Sequence, residues 1–401
     1  MYDDATSDTM NTLKVLMFST DRSLFDHDSE VRKRLLEQSS VVGVLHVIVF
    51  TPRGEKWKPL LLGKHLMVHP TCSLGKWSYL SDAFMLARDI IRKGGHTQKW
   101  LITTQDPFEI GALGYLVARI YAIPLHLQIH TDPWSPSWKE EHTLNRLRFA
   151  VMQFLLHRAS GIRVVSKRVY DCVVAEGVDT ARVTRVPIFT DVAYWKDTPA
   201  TFDLHSSYKM FKKIILSIGR LQPEKNYHGL VRAFLRVRRV HDDTMLLIVG
   251  SGPERERILL LAHSLGLSDS VIVLPWARNV VSYYKTSDVY VQPSLYEGWG
   301  LAVVEAMASG LPTVITDVGV AGELVEDKET GLVVPVGNED ALVDALSELL
   351  TNDILRKKLK ACALLRVDTL LSHGETIEAY KQSWHKAYTL WHHEHQKTKK
   401  R

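Results

Sequence analysis

Two glutamates in the second half of the chain are the residues best suited to chemistry. Glu297 and Glu305 flank a Gly-Trp-Gly segment at positions 298–300. The glycines permit a tight loop whose backbone can approach a ligand closely. A helix predicted to begin near Leu301 would offer its free N–H groups and the positive end of its dipole to a phosphate. Glu305 lies about 6 Å further along that helix, so its carboxylate could accept hydrogen bonds from the hydroxyls of a ribose.

Two basic residues after an earlier strand could supply positive charge to the same phosphate. The segment 217–226 contains Gly219, Arg220 and Lys225, and its pattern predicts a strand end that runs through a loop into a helix. Opposite charges attract strongly in a poorly solvated site. The sequence therefore predicts that cationic side chains, rather than a metal ion, neutralise a diphosphate leaving group. No cofactor is expected.

Short apolar or β-branched runs alternate with helical patterns along nearly the whole chain. Most of these runs lack polar alternation, which indicates strands buried on both faces in parallel sheets covered by helices. The predicted strands of the first half are Leu13–Phe18, Val42–Phe50, Trp100–Thr103, Leu125–Ile129, Ile162–Val165 and Val183–Val186. Those of the second half are Ile214–Ile218, Met245–Val249, Val271–Leu274, Val289–Gln292, Thr313–Thr316 and Leu332–Pro335.

The pattern predicts two facing, doubly wound, Rossmann-like domains with a cleft between them, and ligands bind at the carboxyl ends of strands in such folds. The predicted parts are a polar tail (1–12), a first Rossmann-like domain (13–191), a hinge (192–212), a second Rossmann-like domain that contains both candidate loops (213–372) and a C-terminal helix with a basic tail (373–401). The predicted helices include Phe108–Tyr121, Asn145–Arg158, Lys167–Glu176, Tyr227–His241 and Thr376–Trp391. Ser166 is expected to cap the third of these, and Gly177 to end it.

These segments together resemble the retaining nucleotide-sugar glycosyltransferases of family 4, which have the GT-B architecture of two Rossmann-like domains. The glutamate pair matches the E-x7-E signature of that family, and the segments 219–226 and 249–254 match two of its loops. A third matching loop is Asp317-Val318-Gly319. The resemblance extends over most of residues 213–350.

The resemblance implies a metal-independent enzyme that transfers a sugar, with retention, from a nucleotide-diphosphate sugar to a glycan or lipid-linked acceptor. Glu305 would hold the ribose, while Arg220 and Lys225 would hold the diphosphate. Glu297 would bind the donor sugar together with the backbone of Gly298, Trp299 and Gly300.

The first half of the chain matches the family less closely. His130 falls where the family has a histidine that contacts the donor sugar. A structural, hydrogen-bonded histidine is an almost equally good interpretation of that residue. The glycine-rich loop that usually follows the first strand of the family is missing, because Phe18 is followed here by Ser-Thr-Asp-Arg-Ser.

Two other functions remain open at this stage: a sugar-nucleotide epimerase on a related fold, and a non-catalytic nucleotide-sugar-binding protein. Asp26 and Asp28 also form a D-x-D, the metal-binding signature of another glycosyltransferase architecture. Because a helical run follows directly, an N-cap at Asp28 or Ser29 is the favoured interpretation.

Composition excludes several classes of protein. The chain has 401 residues, of which 45% are hydrophobic and 24% charged, as in soluble globular proteins rather than disordered or polytopic membrane proteins. Three widely separated cysteines, Cys72, Cys172 and Cys362, indicate neither a disulfide framework nor a Cys-based zinc site. Residues 1–13 lack a signal-peptide pattern, so a cytoplasmic location is expected.

The charge pattern bears on partners. A formal net charge of +5 permits anionic partners. The basic helix predicted over 145–158 could lie on an anionic membrane at its inner face, or it could pack as an ordinary amphipathic helix on its own sheet. Nucleic acid is a less favoured partner because the basic residues are scattered.

Overall fold

A computed structural model of the protein describes residue 10 and residues 12–54, 56–95 and 99–399. The chain divides into two compact units, of which the first contains residues 1–134, 139–187 and 373–401, and the second contains residues 135–138 and 188–372. Most of the predicted tail at 1–12 lies outside the described residues. Met10, near its end, is buried.

The first unit contains an eight-stranded sheet with the order β3-β4-β2-β1-β5-β6-β7-β8. All neighbouring strands are parallel except β3 and β4. The strands are β1 (Lys14–Ser19), β2 (Val44–Val49), β3 (Leu60–Leu62), β4 (Leu66–Pro70), β5 (Trp100–Thr104), β6 (Leu125–Ile129), β7 (Gly161–Val164) and β8 (Val183–Arg185). The main helices of this part of the chain are α1 (Glu30–Ser39), α2 (Tyr79–Gly94), α3 (Glu109–Tyr121), α4 (Pro136–Glu141), α5 (Asn145–Leu156) and α6 (Lys167–Ala175).

Helices cover both faces of this first sheet. On one face, α2, α3, α5 and α6 insert apolar side chains such as Ala87, Val117 and Leu155 into a core built on β1, β5, β6 and β7. On the other face, Leu35 of α1 packs in a second core. The double burial explains why these strands are continuous apolar runs in the sequence.

The second unit contains a six-stranded, fully parallel sheet with the order β11-β10-β9-β12-β13-β14. Its strands are β9 (Lys213–Ile218), β10 (Thr244–Val249), β11 (Val271–Leu274), β12 (Val289–Gln292), β13 (Thr313–Thr316) and β14 (Leu332–Val334). Its helices are α7 (Val192–Asp197), α8 (Leu204–Ser207), α9 (Tyr227–Val240), α10 (Arg255–Ser264), α11 (Val281–Lys285), α12 (Leu301–Ala308), α13 (Glu339–Thr351) and α14 (Asp353–Val367).

The predicted α/β class with two Rossmann-like sheets is confirmed, and each predicted strand is present within two residues of its predicted ends. Ser166 caps α6 by accepting a hydrogen bond from the Val169 N–H, and Gly177 follows with a φ of 82°. The antiparallel pair β3–β4 was not predicted. Its strands are only three and five residues long, too short to show a clear period.

Two predicted boundaries differ from the structure. The predicted hinge 192–212 contains α7 and α8, because Asp191 and Asp203 accept backbone N–H hydrogen bonds at their N-termini. The C-terminal helix α15 (His373–Lys399) groups with the first unit rather than standing apart. Its Trp384 and Ala387 are buried in the second core of that unit. Gly161 makes this possible, since a Cβ at that position would lie 2.5 Å from the Ala387 Cβ.

Candidate functional site

The loops that follow β9 and β12 are held together at the carboxyl ends of these neighbouring strands. The Leu295 N–H donates to the Glu224 carbonyl oxygen at 2.7 Å, which joins the two loops through their backbones. The sequence predicted that both loops contribute to one phosphate site. The structure brings them together within the second unit.

An ion pair between Lys225 and Glu297 lies at this junction, with both side chains largely buried. Glu297 Oε1 also accepts hydrogen bonds from Gln292 Nε2 and from Ser294 Oγ, each at 2.9 Å. The three donors converge on a single carboxylate oxygen, so both Glu297 and Lys225 are held in fixed positions. Gln292 in turn accepts a hydrogen bond from the Tyr290 hydroxyl at 3.0 Å, which anchors the cluster in the sheet.

Arg220 is placed differently from Lys225. Its side chain is 71% exposed, and its guanidinium lies 3.3 Å from the Glu224 carboxylate. Exposed ion pairs contribute about 0–1 kcal/mol, so little free energy opposes a change of partner at Arg220. Lys225 is fixed and Arg220 is adaptable.

Glu305 occupies the second turn of α12, where the Tyr284 hydroxyl donates to its Oε2 at 2.9 Å. Desolvation raises the pKa of Glu305 to about 7, although the hydrogen bond from Tyr284 opposes the shift. Tyr284 itself is buried, and the Trp195 ring packs edge-on against it at a centroid distance of 5.5 Å. Neither aromatic residue was singled out from the sequence. The only signal for Tyr284 is its place in a short apolar helix.

Glycines allow the loops around α12 to approach one another closely. Gly300, with a φ of 107°, forms the N-cap of α12, so the first N–H groups of the helix are presented without a capping side chain. A Cβ at Gly319 would lie 2.3 Å from the Trp299 carbonyl oxygen, which requires glycine in the loop after β13. Trp299 as a whole residue is 2% exposed, so its indole is packed inside the protein rather than presented to a ligand.

The loops after β9 and β10 make a similarly close contact. A Cβ at Gly250 would lie 1.9 Å from the Gly219 carbonyl oxygen. The Gly-Ser-Gly turn after β10 thus supports the loop that carries Arg220.

In the first unit, His130 directly follows β6, where part of the residue is open to solvent and the rest is surrounded by protein. Arg163 NH1 lies 3.5 Å from His130 Nε2. Desolvation by the surrounding protein, together with the positive charges of Arg163 and Arg34, lowers the pKa of His130 well below its usual value. His130 is therefore neutral at physiological pH, and the contact with Arg163 favours the tautomer that carries its proton on Nδ1.

Arg163 is fully buried in β7 and was not identified from the sequence. It donates to the Val186 carbonyl oxygen at 2.8 Å and to Gln128 Oε1 at 3.0 Å, and its guanidinium lies 4.3 Å from the centre of the Tyr380 ring on α15. The Val186 carbonyl, the Gln128 amide and the Tyr380 ring are all neutral groups. The cation next to His130 is therefore held by the fold itself.

The D-x-D segment forms no metal centre among the described residues, in which no cluster of three or more His, Cys, Asp or Glu side chains occurs. Ser29, one of the two expected N-caps, accepts a hydrogen bond from the Val31 N–H at the start of α1. Asp26 and Asp28 lie in the turn before that helix.

Comparison with solved structures defines the class of fold. The sucrose-phosphate synthase of Thermosynechococcus elongatus superposes with a TM-score of 0.74 at 20% identity, covering 94% of this chain and 99% of that chain. The Anabaena HepE protein, solved in complex with UDP-glucose, gives a TM-score of 0.70 at 18% identity with the same coverage. The chain has the α/β fold of the GT-B glycosyltransferases.

Sequence comparison then identifies the family of the segment that carries most of the candidate site. Residues 206–364 match the model of the family described as glycosyl transferases group 1. This match confirms, for that segment, the resemblance predicted from the sequence.

Two curated relatives share this region. An uncharacterized glycosyltransferase of Haemophilus influenzae is 39% identical over 178 residues, which are 44% of this chain and 49% of that protein. The phosphatidyl-myo-inositol mannosyltransferase of Mycobacterium leprae is 33% identical over 183 residues, 44% of this chain and 48% of that protein. The chain thus matches about half the length of each relative.

Among the described residues, no helix combines the length and the apolar character required to cross a bilayer.

Proposed function

We propose that the protein is a glycosyltransferase that moves a sugar from a nucleotide-diphosphate sugar to a glycan or lipid-linked acceptor. The observation that carries this proposal is the ion pair between Lys225 and Glu297, which joins two loops at the carboxyl ends of adjacent parallel strands. Ligands in doubly wound sheets bind at such strand ends. The matching family model and the UDP-glucose bound to the Anabaena protein of the same fold support a nucleotide-sugar donor.

In this proposal the donor diphosphate lies against the N-terminus of α12, with Lys225 on one side and Arg220 on the other. The free N–H groups of α12 and the two cations stabilise the charge that develops on the diphosphate as the anomeric bond breaks. Glu305 accepts hydrogen bonds from the ribose hydroxyls. No metal ion is needed, because the side chains supply the positive charge.

We propose retention of the anomeric configuration by attack from the same face as departure of the diphosphate. Glu297 is a poor candidate for a covalent nucleophile, because Lys225, Gln292 and Ser294 already donate to one of its oxygens. A carboxylate stabilised by three donors is less nucleophilic than a free one. Glu297 instead orients Lys225 and accepts hydrogen bonds from the donor sugar. For the first unit, neutral His130 is the proposed donor of a hydrogen bond to a sugar, through Nδ1.

The test has two stages. A thermal-shift panel of UDP- and GDP-linked sugars identifies the donor, because a ligand at a hundred times its dissociation constant stabilises the folded state by about 2.7 kcal/mol. NMR of the products then separates the functions: a transferred sugar with retained configuration supports the proposal, whereas an altered free nucleotide sugar indicates an epimerase. Binding without turnover indicates a non-catalytic binding protein.

The metal-independent part of the proposal is tested separately. Activity in the presence of excess EDTA should equal activity without it. Complete loss on chelation, reversed by manganese or magnesium, would contradict the assignment of Arg220 and Lys225 as the diphosphate-binding cations and would direct attention to Asp26 and Asp28.

A further inference from the structure

Helix α5 has two apolar faces, and only one of them is used in the core. Met152, Leu155 and Leu156 are buried against the first sheet. Leu147 and Phe154, by contrast, are 63% and 46% exposed. The two interpretations of this basic helix offered by its sequence are therefore compatible: it packs on its own sheet, and it also presents a second apolar stripe to the solvent.

The neighbouring helices α2 and α3 show the same double character. Each buries a row of small or apolar residues against the sheet. On their outer sides, Leu80 and Met85 of α2 and Leu116 and Ile120 of α3 are exposed. A helix that needs only one core face normally carries polar residues on the other, so these leucines, isoleucine and methionine are not explained by the packing of the unit.

Four of these exposed residues line one groove of about 550 Å³ between the three helices, namely Leu80, Met85, Leu116 and Leu147. Its walls are nearly all apolar, and the Arg148–Glu109 ion pair, with a distance of 2.8 Å, lies among the lining side chains. We refer to this feature as the α2–α3–α5 groove. Continuous exposed apolar surface of this kind marks an interaction site with a protein or a membrane.

The net charge of the three helices that form the groove favours one kind of partner. The three helices contain six basic residues against three acidic ones, namely Arg88, Arg92, Lys93, Arg119, Arg146 and Arg148 against Asp82, Asp89 and Glu109. Two of the three acidic side chains, Asp89 and Glu109, are ion-paired with Arg88 and Arg148. The excess of positive charge attracts an anionic surface.

Two exposed aromatic side chains close in sequence to groove residues, Phe154 on α5 and Trp77 just before α2, fit an interface between water and hydrocarbon. The Arg158 guanidinium lies 3.5 Å from the centre of the exposed Phe154 ring, just after α5. Trp77, one turn before Leu80, is 80% exposed. Tryptophan and arginine side chains with an apolar body and a polar tip are enriched where proteins meet lipid head groups.

We propose that the α2–α3–α5 groove docks the first unit onto a bilayer that contains anionic lipids. Leu80, Leu116, Leu147 and their neighbours would enter the acyl boundary, while the arginines would contact the lipid phosphates. Docking through this groove does not depend on the proposed transfer reaction, because it requires only the first unit and lipid.

The test is flotation of the purified full chain with vesicles of phosphatidylcholine alone, and with vesicles that contain 30% phosphatidylglycerol. Binding to the anionic vesicles should be at least tenfold stronger and should weaken as salt is raised. Leu116→Asp and Leu147→Asp should each lower this binding at least tenfold, because a carboxylate is placed where an apolar side chain enters lipid. Both positions are exposed, so the variants should fold normally, which a thermal melt checks.

Leu365→Asp on α14 is the matched control, since Leu365 is an exposed leucine in the second unit, at 71% against 50% for Leu116 and 63% for Leu147. Its vesicle binding should stay within twofold of the wild type. Absence of binding to either vesicle, or equal binding by Leu116→Asp, Leu147→Asp and the wild type, would overturn the proposal. A wild-type dimer that Leu116→Asp converts to a monomer in analytical ultracentrifugation would also overturn it, because a second copy would then cover the groove.

Discussion

The carboxyl ends of the two sheets each carry a cation next to a candidate ligand-binding residue, but the cations are held in different ways. In the second unit, Lys225 is ion-paired with Glu297, near the surface loops that follow β9 and β12. In the first unit, Arg163 is fully buried and is held by carbonyl, amide and aromatic groups. A cation on a loop at the strand ends can contact a phosphate while its carboxylate partner holds it in position, whereas a cation whose donors are all used within the fold can only influence its neighbour.

This difference assigns different tasks to the two clusters. The loop cations are suited to charge that changes during a reaction, because their counter-ions lie close to them and the loops are accessible. Arg163 is suited to a constant task, which is to hold the histidine next to it neutral and in one orientation. Substitutions of the loop cations should therefore lower kcat, whereas substitution of Arg163 should lower the free energy of unfolding.

The largest effect is expected for the loop cations. Lys225→Ala and Arg220→Ala should each lower kcat by about a hundredfold or more, the typical loss when one preorganised charge on a developing anion is removed. KM for the donor should change much less, because the charge on the diphosphate increases in the transition state. The double variant should lose less than the product of the two, since both side chains act on one group. Steady-state kinetics measures all three values.

Matched controls separate catalysis from general electrostatics. Lys213 lies at the opposite end of β9, where it is half-buried and paired with Asp288 at 3.2 Å. Arg236 is an exposed arginine on α9 that is paired with Asp340 on α13. Lys213→Ala and Arg236→Ala should leave kcat within about twofold of the wild type. Near-normal kcat in Lys225→Ala or Arg220→Ala would remove that residue from the proposed mechanism.

The next effect concerns the stability of the first unit. Arg163→Met should lower the free energy of unfolding by about 2–4 kcal/mol, because the Val186 carbonyl and the Gln128 amide lose their buried donor at about 1–3 kcal/mol each. Chemical denaturation followed by tryptophan fluorescence measures this change. Arg182→Met is the control, since Arg182 is paired with Glu394 in a more exposed ion pair, and it should cost less than about 1 kcal/mol.

The same variant tests the link to His130. Removal of the Arg163 charge should raise the pKa of His130 toward its ordinary value, measured by NMR titration of the imidazole C–H signals in folded protein. Arg163→Lys should restore a low pKa in part, because it keeps the charge but not the fork of donors. An unchanged pKa in Arg163→Met would show that desolvation and Arg34, rather than Arg163, set the protonation state of His130.

The comparison also shows which parts could be predicted from sequence. Strands β9 and β12 were predicted because a strand buried on both faces is a continuous apolar run, and the two glutamates were singled out by glycines that lie next to them in the chain. The Tyr284–Glu305 and Arg163–Tyr380 contacts were not predicted. The two residues of each contact are 21 and 217 positions apart in the chain, so no local spacing indicates that they meet. The sequence around Arg163 also does not indicate that an arginine in this strand is buried.

A smaller effect is expected at the ribose end of the site. Glu305→Ala should weaken binding of the nucleoside diphosphate at least tenfold, since charge-assisted hydrogen bonds contribute about 1.5–3 kcal/mol each. Tyr284→Phe should weaken it less, by a few-fold, because it removes a donor that stabilises the carboxylate. Calorimetry gives both affinities. Equal affinity in Glu305→Ala and the wild type would rule out the assignment of Glu305 to the ribose.

The smallest effect is a pH dependence that Glu305 imposes on donor binding. Burial raises its pKa from 4.5 to about 7, so the folded protein binds this proton more tightly than the unfolded chain does. Between those two values the group therefore contributes stability at the lower pH, and this contribution is lost as the pH rises toward 7. The pH dependence of donor binding has the opposite sign, because the ribose hydroxyls donate hydrogen bonds to the carboxylate form of Glu305.

Affinity for a nucleotide sugar, whose diphosphate stays doubly charged over this range, should rise about tenfold from pH 6 to pH 8. Glu305→Gln should bind more weakly but with a flat profile, and a flat profile in the wild type would show that the ribose does not depend on this carboxylate.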